Sequence, residues 1–99
     1  MTIGADIQST FIFERVTIIG IGLIGSSFSR ALKSKAGLVR EIIAADSDKN
    51  NLAKASDLGI VDTICDDINE AVSRSDCVIL CTPIGTYEKI VKLIASSLP

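Results

Sequence analysis

Histidine is absent from the chain, and so is tryptophan. Without histidine there is no imidazole base, no Ser-His pair and no histidine metal ligand within these residues. Aromatic residues make up only 4% of the chain, which removes the stacking platforms that single-stranded nucleic acids use. An excess of positive charge is missing too: the net charge is −2 and the pI about 4.9. No basic patch stands out, which argues against nucleic acid as a partner. The three cysteines, Cys65, Cys77 and Cys81, lack C-x-x-C spacing. They suggest neither a disulfide framework nor a zinc site, and no metal is expected. They read instead as buried free thiols in a reducing, cytoplasmic setting. The apolar stretch Val16–Ala31 is too short for a membrane span of about 20 residues, and Ser26, Ser27, Ser29 and Arg30 interrupt it. No early Lys or Arg precedes an apolar region, so no secretory signal is expected.

The composition that remains is that of an ordinary globular chain, 47% apolar and 22% charged. Its 99 residues suit one domain or part of one, with a small core that buries about 60–70% of the unfolded surface. Residues 1–12 show no periodicity and read as a tail; 13–99 read as one unit without repeats or linkers. Val16–Gly20 (V-T-I-I-G) is β-branched and ends in glycine, as a buried parallel strand does. Helical spacing of Leu23, Ile24, Phe28, Ala31 and Leu32 predicts a helix to about Lys35, ended by Gly37. Glu41–Asp46 predicts a second strand. Asp48–Leu58 predicts a second helix, capped by Ser47 or Asp48 and stopped by Gly59. A short weak strand near Asp62–Cys65 follows, then a helix to about Ser73 opened by Asp67 and Glu70 in capping-box spacing. Asp76–Thr82 (D-C-V-I-L-C-T) reads as the clearest buried strand. Thr82 is expected as an N-cap with Pro83 at the first helical position. Ile84, Tyr87, Ile90, Val91, Ile94 and Ala95 give the last helix its apolar face.

Alternating strands and helices with short connections imply a parallel sheet, helices on both faces and right-handed crossovers. Gly20-Ile21-Gly22-Leu23-Ile24-Gly25 is G-x-G-x-x-G at the turn from the first strand into the first helix. Gly20 serves the tight turn, Gly22 leaves the backbone open to a pyrophosphate, and Gly25 lets helix and strand approach. The N–H groups of Leu23 and Ile24 have no intrahelical acceptors and face an anion at the positive end of the helix dipole. The motif alone is weak. Its place between strand and helix, and Asp46 about 20 residues on at the end of the second strand, strengthen it. The reading is therefore a Rossmann-type dinucleotide-binding domain with strand order 3-2-1-4. Pro99 falls where a fifth strand would be about to begin, so the chain is expected to be cut from a longer protein.

Each candidate has a bland counterpart. In that counterpart the three glycines serve only strand–helix packing, and Asp46 only a helix cap. In the functional reading Asp46 accepts from the adenosine ribose hydroxyls and repels a 2′-phosphate. Ser47 and Asp48 follow it rather than an arginine, which favours NAD over NADP; Lys49 is the nearby cation. Cys81, Thr82 and Pro83 lie at the strand's C-terminal end, either as a wall on the nicotinamide side or as a capped helix start. Cys81 lacks the positive setting of a reactive thiol. Ser26 and Ser27 are expected to support the helix start, and no nucleophile is expected.

Phe13–Lys33, E-I-I-A-A-D, D-L-G-I-V-D (Asp57–Asp62) and C-V-I-L-C-T-P-I-G (Cys77–Gly85) together resemble prephenate and arogenate (cyclohexadienyl) dehydrogenases. The resemblance covers 13–99 and is most specific in G-L-I-G-S-S and T-P. It implies aromatic amino acid biosynthesis. The family oxidises the ring carbinol of prephenate or arogenate with NAD, and loss of the ring carboxylate as carbon dioxide leads to tyrosine. It implies that Gly20, Gly22, Leu23, Ile24 and Gly25 hold pyrophosphate, Asp46 the ribose, and Thr82-Pro83 the nicotinamide side. It also implies that the catalytic histidine and a helical dimerisation domain lie beyond residue 99, in a homodimeric parent. No catalytic residue is then expected in this chain, which should be inactive alone. Two alternatives stay open. One is the cofactor domain of another two-domain NAD(P) dehydrogenase, of 3-hydroxyacid or imine reductase type. The other is a non-catalytic NAD-binding module.

Overall fold

The computed structural model describes residues 11–98. Four parallel strands alternate with helices: β1 Phe13–Ile19, α1 Leu23–Lys33, β2 Val39–Ala45, α2 Lys49–Asp57, β3 Thr63–Cys65, α3 Ile68–Ser73, β4 Cys77–Leu80 and α4 Tyr87–Ile94. The sheet order is β3-β2-β1-β4, the expected 3-2-1-4. β1 therefore has β2 on one side and β4 on the other, in register Ile18↔Ala44 and Ile18↔Ile79. The direction of winding reverses between β1 and β4, and this opens a crevice at their C-terminal ends.

The run V-T-I-I is apolar almost throughout because both faces of the sheet are covered. Side chains alternate across a strand. Val16 and Ile18 of β1 and Ile42 and Ala44 of β2 join Leu52 and Ala55 of α2 in one core cluster. Ile19, Ile43 and Ala45 join Ala71, Val72 and Ile94 on the opposite face. Burying an isoleucine in this way contributes about 1.5–3 kcal/mol. Thr17 is the polar exception on the second face. Its Oγ1 donates to the Ala71 carbonyl at 3.1 Å, and Ser75 Oγ donates to the same oxygen at 2.9 Å. The pair ties β1 to α3 without leaving a buried hydroxyl unpaired. On the first face Ser29 Oγ donates to the Ile60 carbonyl and fixes α1 to the segment entering β3.

Helix starts follow the acidic caps. Asp48 accepts from Asn50 N at 2.8 Å and Asp67 from Glu70 N at 3.2 Å. Glu70 does not complete a capping box; its carboxylate reaches Arg74 instead. Gly37 and Gly59 follow their helices with φ +81° and +69°, the left-handed turn expected of glycine there. Both β1 and β2 begin earlier than the apolar runs suggest, at Phe13 and Val39, because charged Glu14, Arg15, Arg40 and Glu41 lie inside the pairing. Of the expected tail, residues 1–10 lie outside the described residues, as does Pro99; Ile12 N donates to the Gly37 carbonyl at 3.1 Å.

The start of the last helix corrects the sequence reading. Pro83 is not a first helical residue: its ψ is 142°, and a single 3-10 turn at Ile84–Thr86 intervenes before α4. Nor does Thr82 cap a backbone N–H; its Oγ1 accepts from Thr86 Oγ1 at 2.9 Å. Thr86 N donates to the Pro83 carbonyl at 2.9 Å. The thiols also differ from expectation. Cys65, Cys77 and Cys81 are free but only half-buried, as is all of β4, which forms one end of the sheet.

Candidate functional site

The crevice above β1 and β4 opens into a cleft of about 520 Å³, within the size of small-molecule sites. Its floor is Ile19, Gly20 and Gly22; Asp46, Ser47 and Asn51 form one wall. Cys81, Thr82, Pro83 and Thr86 form the other, and Ile68, Lys89, Ile90 and Leu93 close the far side. Seven of the candidate residues thus line one space: Gly20, Gly22, Asp46, Ser47, Cys81, Thr82 and Pro83. Leu23, Ile24 and Gly25 do not line it. They form the first turn of α1, just after Gly22, which is its N-cap.

The three glycines differ in what a side chain would meet. Gly20 has φ +89°, and a Cβ there would sit 2.8 Å from Thr82 Cγ2. A Cβ on Gly25 would fall within 2.3 Å of the Gly20 carbonyl oxygen, so this glycine allows the close crossing of α1 over the end of β1. A Cβ on Gly22 would meet no neighbouring atom within 4 Å and would point into open space. That emptiness belongs to the cleft and adjoins the free N–H groups of Leu23, Ile24 and Gly25 at the positive end of the helix. Main-chain donors, no intruding side chain and an open cradle fit the pyrophosphate of a dinucleotide. The side chains of Leu23 and Ile24 point away into solvent, 86% and 72% exposed.

Asp46 follows β2 directly. Its Oδ2 accepts from Ile21 N at 2.9 Å and Asn51 Nδ2 at 3.3 Å, and its Oδ1 accepts from Asp48 N at 2.8 Å. Ser26 Oγ donates to the Ile21 carbonyl at 2.8 Å, which supports the helix start as expected; Ser27 is exposed. Burial pushes the Cys81 thiol above its ordinary pKa, which keeps it protonated and unreactive at neutral pH.

The structure adds residues that the sequence reading passed over. Asn51 lies in the first turn of α2 and reaches back to Asp46. Lys89, rather than Lys49, is the cation of the cleft. Lys49 faces a separate groove with Leu52, Ile64 and Asp66. The 3-2-1-4 order sets the helix after β4 beside the crevice, but not which of its residues face the cleft. Among the described residues no cluster of His, Cys, Asp or Glu can hold a metal ion, and no helix is long and apolar enough to cross a membrane.

A family model described as prephenate dehydrogenase, nucleotide-binding domain, matches residues 28–99. Cyclohexadienyl dehydrogenase of Zymomonas mobilis is 34% identical over 89 residues, covering 88% of this chain and 29% of that protein. Prephenate dehydrogenase of A. aeolicus, solved with hydroxyphenyl propionate and NAD+, superposes with a TM-score of 0.77 at 28% identity. That match covers 87% of this chain and 30% of the other. A second structure of the Aquifex aeolicus enzyme gives 0.76 at 31% identity, covering 85% and 30%. The chain therefore spans under a third of the length of these relatives.

Proposed function

The chain belongs to the prephenate dehydrogenase family, in its nucleotide-binding domain, and from that premise we propose that it is the NAD-binding part of a prephenate or arogenate dehydrogenase of tyrosine biosynthesis. The observation that carries the reading is the empty cradle at Gly22, set between the N-terminus of α1 and the carboxylate of Asp46. In this reading the N–H groups of Leu23 and Ile24 hold the pyrophosphate, with Gly20, Gly22 and Gly25 shaping the backbone around it. Lys89 adds positive charge to a site for an anionic ligand. Asp46, beside Ser47, accepts from the adenosine ribose and disfavours a 2′-phosphate, which selects NAD over NADP. Cys81, Thr82 and Pro83 wall the nicotinamide side and keep water from that face. Bound NAD supplies the hydride acceptor.

The overall reaction in the parent is oxidation of the ring carbinol of prephenate or arogenate, with the ring carboxylate leaving as carbon dioxide and NAD reduced. The products are 4-hydroxyphenylpyruvate or tyrosine. The chain has no histidine to serve as a base; in this reading the catalytic histidine and the substrate contacts lie in the remainder of a homodimeric, cytoplasmic parent enzyme. The free thiols suit that compartment. The test is turnover by the full-length protein with each substrate, followed by the absorbance of reduced cofactor. Reduction of NAD with either substrate is expected, and turnover of neither would overturn the reading.

A further inference from the structure

The carboxylate of Asp46 faces the cofactor cleft, yet most of its hydrogen-bonding capacity is spent on the protein. A carboxylate accepts about four hydrogen bonds, two on each oxygen. Oδ2 already receives Ile21 N–H at 2.9 Å and the Asn51 amide at 3.3 Å. Oδ1 receives only Asp48 N–H, at 2.8 Å, and keeps one place for a ligand hydroxyl. Ile21 is the residue between Gly20 and Gly22. Its side chain is buried, its carbonyl is held by Ser26 Oγ, and its N–H is held by Asp46 alone. Asp46 is thus the one tether of the glycine loop that also reaches the ligand.

Resting on the NAD reading above, we propose that Asp46 positions the glycine loop as well as binding the ribose, and that Asn51 is a positioning residue that holds Asp46 in the orientation serving both. Recognition of the ribose and the shape of the pyrophosphate cradle then depend on one carboxylate. Asp46 cannot be exchanged for a small residue to admit a 2′-phosphate without also releasing the loop. Asn51 touches neither the loop nor, in this reading, the pyrophosphate; it acts through Asp46.

Two measurements on the whole chain test this. The first is hydrogen exchange of the Ile21 amide by NMR, with no ligand present. Asn51→Ala should speed exchange at Ile21 about tenfold (~1.4 kcal/mol), with the strand amides of Ile18 and Ile43 unchanged. The second is NAD affinity against pH for Asn51→Asp, which keeps the shape of the side chain but sets a second carboxylate against the first. Two carboxylates sharing a site favour holding one proton, and a protonated residue 51 can donate again. NAD binding by this variant should be about tenfold weaker than wild type at pH 8 and recover to within about threefold at pH 5. The other ionisable groups around the cleft, Asp48, Cys81 and Lys89, are common to both proteins. A residue with only a general structural role would not produce this pH dependence. The exchange variant D46S with S47R, made to accept NADP, should bind NADP at least about tenfold more weakly than wild type binds NAD. An unchanged Ile21 amide in Asn51→Ala, or NADP bound by the exchange variant as tightly as wild type binds NAD, would overturn the linkage. Failure of the wild-type chain to bind NAD would overturn the cofactor reading, and the Ile21 exchange would then decide the loop tether separately.

Discussion

Three glycines in one motif should respond differently to the same methyl group. At Gly22 a Cβ meets nothing within 4 Å and φ is negative, −54°, so the added methyl clashes with no neighbouring atom. Gly22→Ala should change stability by no more than about 1 kcal/mol. The same methyl fills the cradle, so NAD affinity should fall at least about tenfold. Thermal unfolding and calorimetric titration of one sample read both effects. At Gly25 the methyl would press within 2.3 Å of the Gly20 carbonyl oxygen. Gly25→Ala should therefore destabilise the chain by about 1–3 kcal/mol or more, as overpacking does, visible as a lower urea midpoint. The G-x-G-x-x-G spacing made these roles legible in the sequence, because each glycine answers to backbone geometry close along the chain. Asn51 was not legible. Its meaning arises only when α2 folds back over the end of β2 and sets its amide against Asp46.

At the level of elements, sequence periodicity located the four strands and four α-helices among the described residues but not all of their ends. β1 and β2 were read too short, from Val16 and Glu41, because Glu14, Arg15 and Arg40 look like loop residues. Arg15 and Glu41 are register partners whose side chains pair at 2.9 Å. Thr82-Pro83 misled in the other direction: the dipeptide suits a cap, but Thr86 captures the threonine hydroxyl and the proline stays extended. The caps at Asp48 and Asp67 were readable since each bond spans two or three residues. Asp48→Ala should cost about 1 kcal/mol, measured by urea denaturation, and a change near zero would remove the cap from the account. The sheet edge carries a pH signature as well. Glu41 has its pKa lowered, chiefly by the hydroxyl of Thr63 and further by Arg15, against the opposing effect of burial. A carboxyl whose pKa is depressed in the folded state adds stability that is full above its unfolded pKa. That stability is lost as pH falls through the folded value. Thr63→Val should therefore lower stability at neutral pH, and the difference from wild type should shrink as the solution is acidified below the ordinary glutamate range. A difference constant with pH would point to packing instead.

On the scale of the whole molecule, the 3-2-1-4 order turns scattered sequence signals into one cleft. Gly20 and Thr82 are far apart in the chain, yet they meet because β1 and β4 are neighbours. The sequence revealed the strands on either side of the crevice. It did not reveal that Lys89, Ile90 and Leu93 close its far side, because that depends on how α4 leans back across the sheet after the 3-10 turn. With a cofactor cleft but no histidine, the chain itself should bind NAD without oxidising prephenate or arogenate, a combination that equilibrium binding and a turnover assay on the same preparation would show. The most direct test of the central claim is calorimetric titration of NAD and NADP into this chain. The account predicts saturable binding of NAD, weaker binding of NADP, and loss of NAD binding in Gly22→Ala with the fold intact. Absence of NAD binding by the folded chain, or binding that Gly22→Ala leaves untouched, would contradict it.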